Sequence, residues 1–339
     1  MNSATDPPAV TMAEKVAFLG VADHYPEAPR SVTTIETHFS HVFLTDRHVY
    51  KLKKPERFPS LDLSTLAARH RNCLMETRVN RVLSPDVYLG VVPLLWSTNT
   101  GLSLKSAGVA VDYLVHMRRL DECDNLTYQL RHDGPAADEV DRAADTLAAF
   151  YARGKRRRPL KLEERHYRHQ SLRDEIHDHL GRCPPADALC DALTIWLDSQ
   201  AKTLTTRHRV DAHGDLRPQH VYLSKRPLLI DRLEFDARLR LVDPVEELCF
   251  LRLECDRLGG RWVGERFLDR YAALMGDKRL SGLENYYEAG RALLWALLAA
   301  RHLATTTGDE RHWRQRAYDY LNRGLGRMGV FSRRVLEAP

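Results

Sequence analysis

Near residue 118 the periodicity of this sequence changes, and that change limits the possible folds more than any other feature. Before it, short segments alternate with period two. Residues 31–35 and 42–45 are rich in β-branched side chains, and residues 48–53 put Val49, Lys51 and Lys53 on one face and Tyr50 and Leu52 on the other. Segments 87–95 and 109–117 read the same way, and Pro55 and Pro59 close the third strand. Between the third and fourth strands a helix is predicted over 64–83, with no internal Pro or Gly, opened by Ser64 and stopped by Ser84-Pro85. After Leu120 helical spacing dominates, over 123–131, 136–153, 187–205, 244–258, 263–275, 282–306 and 308–325. Strands first and helices afterwards predict an α+β protein of two lobes. The chain carries no GxxxxGK[ST], and its one GxGxxG, Gly324 to Gly329, comes at the end of a helical stretch and not between a strand and a helix, which argues against a phosphate-loop or dinucleotide binder. The expected division is a helical extension over 1–27 (with a short helix in 12–23), a five-stranded lobe over 28–118 and a mainly helical lobe over 119–339.

Bulk properties exclude several classes. Of the 339 residues 43% are hydrophobic and 29% charged, and no apolar run is long enough to span a bilayer. Residues 1–10 are polar and proline-bearing, unlike a secretory signal. The six cysteines are scattered with no CxxC pair, as expected of reduced thiols in a cytoplasmic protein. The formal charge is +5, and the basic run Arg153-Gly154-Lys155-Arg156-Arg157-Arg158 has no nucleic-acid reader motif beside it, so a solvated loop is expected. His166, His169, His177, His179 and Cys183 do not follow zinc-pair spacing and fall in a segment that looks helical, so surface histidines are expected there.

Chemistry concentrates in residues 213–243. His213-Gly214-Asp215-Leu216-Arg217-Pro218 is followed by Leu228-Leu229-Ile230-Asp231, an apolar strand ending in a second acid 16 residues after the first. That spacing accommodates a loop, a hairpin and a return. Two carboxylates delivered this way suit phosphoryl transfer, in which one accepts a hydroxyl proton and the other holds a phosphate-bridging metal ion. Glu234-Phe235-Asp236 and Asp243-Pro244 continue the pattern. These motifs resemble the aminoglycoside-phosphotransferase-like branch of the protein-kinase-like fold, and in particular a subgroup with His-Gly-Asp-Leu-Arg-Pro before the metal strand and Asp-Pro after it. The resemblance implies an ATP- and Mg2+-dependent small-molecule kinase acting on a hydroxyl. The alternative is a pseudokinase that binds nucleotide as a regulatory or scaffold module.

Further implications follow residue by residue. Asp215 stands where the catalytic base is expected, with His213 and Gly214 shaping its loop, and Asp231 where magnesium is chelated. His220, five residues after Asp215, occupies a second-metal position where many relatives carry Asn; magnesium prefers oxygen, which puts that second site in doubt. Arg217 is expected either to touch phosphate or substrate, or to pair with Asp243. A strand lysine should hold the nucleotide phosphates and a helix glutamate should aim it. Lys51 and Lys53 are both available; an apolar Val49 over the purine favours Lys51. Glu76 is the only acid between Asp62 and Asp86 and is the expected partner. The glycine-free segment 36–41 offers Ser40, through hydroxyl or backbone N–H, for the phosphates. Residues 115–118 are the expected hinge along the adenine edge, with Met117 as an apolar wall. A small hydroxylated substrate is expected, with no membrane partner, but nothing in the mixed charges of 263–325 selects one class.

Overall fold

The computed structural model describes residues 10–58, 61–304 and 309–329. In chain order the elements are α1 (Met12–Leu19), β1 (Thr33–Glu36), β2 (Ser40–Leu44), β3 (His48–Lys53), β4 (Arg57–Phe58), β5 (Leu61–Asp62), α2 (Leu66–Asn80), β6 (Tyr88–Ser97), β7 (Gly101–Ser103) and β8 (Val109–Arg118). There follow α3 (Leu126–Arg131), α4 (Ala137–Arg153), α5 (Leu162–Leu180), α6 (Pro184–Ser199), α7 (Ala201–Thr205), β9 (Val210–Asp211), β10 (Val221–Tyr222) and β11 (Leu228–Leu229). The last are α8 (Ala237–Arg240), β12 (Leu241–Val242), α9 (Pro244–Arg257), α10 (Arg261–Met275), α11 (Ser281–Arg301) and α12 (Glu310–Arg327). Pro59 lies outside the described residues. The chain divides into two compact units: one holds the residues up to 128 with 220–224 and 228–239, the other 129–219, 225–227 and the rest.

The first unit is built on an antiparallel sheet in the order β1-β2-β3-β8-β6-β7. It has six strands, not the five expected. β7 is only three residues long and pairs with β6 across the Thr98–Thr100 turn, too short for an alternating pattern to register. The alternation in β3 decides which side each residue serves. Tyr50 and Leu52 join Leu19, Tyr25, Phe43, Leu94 and Leu114 in one core, which Met12 and Val16 of α1 help to cover. Burying each such large side chain stabilises by about 1.5–3 kcal/mol. Val49, Lys51 and Lys53 face the opposite side, where Cys73 of α2 packs with Tyr88, Val115 and Leu228. Asp112 of β8 is fully buried and receives Lys15 Nζ of α1 at 2.7 Å and two nitrogens of Arg69 of α2 at 2.8 and 3.0 Å. α2 is capped by Thr65, whose hydroxyl accepts from Ala68 N–H at 3.2 Å; Ser64, the expected cap, turns its hydroxyl to Asp62 at 2.6 Å instead.

The second unit is helical. α11 packs against α12, α9, α5 and α6. α9 starts where the sequence tells it to: the Asp243 side chain accepts from Val245 N–H at 2.9 Å and Pro244 takes the first turn, where its missing N–H costs nothing. Gly264 lets α10 cross α9 closely, since a Cβ there would lie 2.3 Å from Arg252 Cα. The histidine-rich segment is α5, and its expected surface placement holds only in part. His166 and His177 are partly exposed and meet Asp198 and Asp187 at 2.9 and 3.0 Å, but His169 and Cys183 are buried. Helical spacing turns His169 to the inner face together with Arg165, Leu172 and Ile176. No helix among the described residues is long and apolar enough to cross a membrane.

Candidate active site

In the first unit the structure brings Lys51, Lys53, Glu76 and Asp231 together. Lys51 Nζ lies 2.9 Å from Glu76 Oε1 and 2.9 Å from Asp231 Oδ1. Lys53 pairs with Glu76 as well, and reaches Glu234 at 2.9 Å. Period two explains why both lysines arrive on the same side, and α2 brings Glu76 to them from the middle of its length. Burial disfavours charge on all of these groups, but the opposite charges win. Asp231 and Glu76 raise Lys51 well above its ordinary value, while burial of Glu76 is outweighed by Lys51 and Lys53, which hold it below the usual carboxylate range. The Lys51 ammonium likewise holds Asp231 far below that range.

Asp231 stands in an unusual backbone conformation. Its φ is +60°, the left-handed region that Asp visits more readily than most residues but still at a cost of about 1–3 kcal/mol. The surrounding structure enforces it. Asp231 N–H donates to Tyr88 Oη at 3.0 Å, and Arg232 N–H to Asn80 Oδ1 at 2.7 Å. Asn80 Nδ2 returns a bond to the Arg232 carbonyl at 3.1 Å, and the Ser84 hydroxyl donates to the Leu229 carbonyl at 2.8 Å. The β10–β11 hairpin delivers this segment, with Val221 opposite Leu229, and puts His220 Nε2 3.6 Å from Asp231 Oδ2.

In the second unit the His213–Arg217 loop is supported from α9. Glu247, fully buried, accepts the backbone N–H of His213 at 3.0 Å and of Gly214 at 2.5 Å, and the Tyr151 hydroxyl also donates to it. Gly214 has φ +91°, a conformation that needs glycine. Burial raises Glu247's pKa, and these donors act against it. Glu247 was not singled out from the sequence, although the helix start at Asp243-Pro244 puts it in the first turn, one face away from Glu246. Arg217 settles one of its expected alternatives. It does not pair with Asp243, which is taken by Arg207 at 2.9 and 3.1 Å and by the Tyr287 hydroxyl at 2.9 Å. Instead Arg217 Nη2 donates to Asp215 Oδ2 at 2.7 Å, and the guanidinium lies over the Trp295 ring at 4.8 Å.

Ser40 and residues 115–118 both lie in the antiparallel sheet. Ser40 is the first residue of β2, fully buried, and its N–H donates to Thr37 Oγ1 at 3.0 Å, so its backbone closes the turn; the turn itself exposes Thr37 and His38 rather than Ser40. Val49 and Met117 are directly opposite in the β3–β8 ladder. β8, however, runs through Arg118 with β3 on one side and β6 on the other, so the backbone of Val115–Met117 is committed to the sheet.

No protein-family model matches the chain. An uncharacterized protein of Mycobacterium tuberculosis (strain H37Rv), and one of Mycobacterium bovis, are 28% identical to it over 292 residues, covering 82% of this chain and 56% of theirs. The chain thus spans about half the length of the curated relatives it matches. Among solved structures, a choline/ethanolamine kinase family protein from Mesorhizobium loti superposes with a TM-score of 0.54 at 14% identity, over 94% of this chain and 100% of that one. Choline kinase LicA from Streptococcus pneumoniae gives 0.54 at 17% identity, over 92% and 99%. ADP-bound aminoglycoside phosphotransferase APH(2'')-Ib gives 0.51 at 14%, over 89% and 95%. The chain has the mixed α+β, kinase-like fold of these small-molecule kinases. At such identities the likeness extends to the fold alone.

Proposed function

We propose that this protein is an ATP-dependent phosphotransferase that moves the γ-phosphate to a hydroxyl of a small molecule. The observation that carries the reading is Lys51, with Glu76 and Asp231 each 2.9 Å from its Nζ. An ammonium clamped between a helix carboxylate and a carboxylate that follows a metal strand suits nucleotide phosphates. In this reading Lys51 is the phosphate ligand, Lys53 a second charge that fixes Glu76, and Val49 and Met117 apolar walls for the purine. The acceptor oxygen attacks the γ-phosphorus, the bond to the β–γ bridging oxygen breaks and ADP leaves. The hydroxyl proton passes to the Asp215 carboxylate. Arg217 and the Glu247-held loop position that carboxylate.

The donor set fits a magnesium ion that arrives with the nucleotide. Among the described residues no cluster of three or more His, Cys, Asp or Glu side chains could hold a metal by itself. Magnesium usually keeps several waters and takes one or two carboxylates plus phosphate oxygens, so Asp231 alone suffices as an anchor. When bound, the ion would neutralise charge building on the phosphates. The imidazole of His220 suits an orienting contact to Asp231 better than an oxygen-preferring metal. Calorimetric titration of ATP with and without Mg2+ tests the assignment. Tighter binding with Mg2+, lost in Asp231→Ala, is expected; equal affinity in both conditions would refute it. Retained ATP binding with no transfer to any hydroxyl would leave the nucleotide-binding module without catalysis.

A further inference from the structure

On the inner side of α5 is a pocket lined by Arg165, Arg168, His169, Glu246, Tyr286 and Tyr287. Its charges do not balance. Arg168 and Arg291 share Glu246 Oε1 at 3.5 and 3.2 Å. Arg165 is only 4% exposed, yet among the described residues it pairs with no carboxylate; its guanidinium lies 5.7 Å above the Tyr287 ring. Its Nε and His169 Nδ1 are buried without hydrogen-bond partners. Burial of Glu246 is outweighed by Arg291, Arg168 and Arg165, which hold its pKa at about 2. Burial, helped by Arg168 and Arg165, pushes His169 down to about 3, so the imidazole is neutral. Three guanidiniums thus face one carboxylate; Arg165 and Arg291 are buried while Arg168 is 35% exposed, and a buried cation without a carboxylate partner is costly.

The same two helices carry this pocket and the Asp215 loop. Glu246 lines the pocket, and its neighbour Glu247 holds His213 and Gly214. Arg291 stands one turn of α11 before Trp295, roughly 6 Å along the axis, and Trp295 lies beneath the Arg217 that bonds Asp215. We infer that this pocket receives a carboxylate or phosphate group of the acceptor, whose hydroxyl is presented to Asp215; the acceptor is therefore a small anionic hydroxyl compound. This rests on the phosphotransferase reading above and adds the charge class of its substrate.

One sugar skeleton in four charge states tests it: gluconate, glucose 6-phosphate, glucose and glucosamine. Binding to the full chain is followed by calorimetry and by thermal shift, and transfer from labelled ATP is followed in parallel. Gluconate or glucose 6-phosphate should bind, and which of them does separates a carboxylate site from a phosphate site. Arg165→Gln should weaken that binding roughly ten- to a hundredfold, the effect of one lost charge-assisted hydrogen bond, with partial recovery in Arg165→Lys. Should Arg165→Gln fail to fold, Gly290→Leu fills the pocket without changing its charge: a Cβ there meets only His169 Nε2, at 3.8 Å. Its melting curve certifies the fold, and it should lose the anion equally. Glucose or glucosamine binding as tightly as the anions, or anion binding indifferent to both variants, would overturn the inference while leaving phosphate transfer to be observed on those sugars. Anion binding lost in Arg165→Gln but no phosphate moved to any sugar would support the pocket and remove the kinase reading.

Discussion

Two ionic clusters in this protein are built from different cations. In the helical unit Arg252, Arg261, Arg279, Arg323 and Arg327 share a network with Glu265, Glu284, Glu288, Asp256 and Asp269, with Arg252 touching Glu265, Glu284 and Glu288 at 3.2, 2.7 and 2.7 Å. Guanidiniums suit this work because their fixed fork serves several carboxylates at once. In the sheet unit the cations are lysines, and Lys51 and Lys53 face three carboxylates, Glu76, Asp231 and Glu234. That cluster contains a left-handed Asp231. The helical network ties helices together through guanidiniums shared among several carboxylates. The sheet cluster adds a residue held in a strained backbone conformation, the kind of feature that gathers at functional sites.

Substitutions should separate the two clusters by what they damage. The largest effect is expected at Lys51. Lys51→Ala should lower turnover by roughly 10²–10³-fold, the usual scale for one electrostatic group acting on developing charge, whereas Lys53→Ala should cost less than about tenfold. Steady-state kinetics on both variants checks this, and equal losses would erase the distinction drawn between them. Next comes Arg252→Met, which removes the buried guanidinium between Glu284 and Glu288 and leaves them to Arg279 and Arg327. It should cost about 1–3 kcal/mol of stability, read by denaturant unfolding, with ATP affinity unchanged. A stable Arg252→Met protein with impaired ATP binding would break the comparison from the other side.

The smallest effect expected is a pH dependence at His169. Its folded pKa is pushed to about 3, below the ordinary 6.5. As pH falls below 6.5 the unfolded chain takes up a proton that the folded chain refuses, so stability drops. Between pH 7 and 5 this should amount to roughly 1–2 kcal/mol, and His169→Gln should flatten that part of the stability curve. An unchanged curve in the variant would mean that His169 is protonated in the fold.

The readable parts of this molecule were those written in short-range patterns. Alternation over His48–Lys53 and the lone acid at position 76 were enough to expect a strand lysine beside a helix glutamate, which is the contact found at 2.9 Å. The signals that failed were of three kinds. Some were too local: Ser64 and Thr65 are adjacent hydroxyls with equal claim to the cap, and β7 is shorter than one alternation. Others were too distant: Glu247 meets His213 across 34 residues and Arg291 meets Glu246 across 45, and no periodicity connects such pairs. The histidine-rich α5 failed for a third reason. Its spacing does not follow a zinc pattern, and its informative feature is Arg165 and His169 four residues apart on the buried face.

The central claim is most directly tested by following γ-phosphate transfer from labelled ATP to a hydroxyl acceptor in the unaltered protein and in Asp215→Asn, with melting temperature and ATP affinity measured on the same samples. Asp215→Asn should lose ~10²–10⁴-fold in transfer and keep both its fold and its ATP affinity, because the base faces the acceptor. Undiminished transfer by a well-folded Asp215→Asn protein would contradict the account.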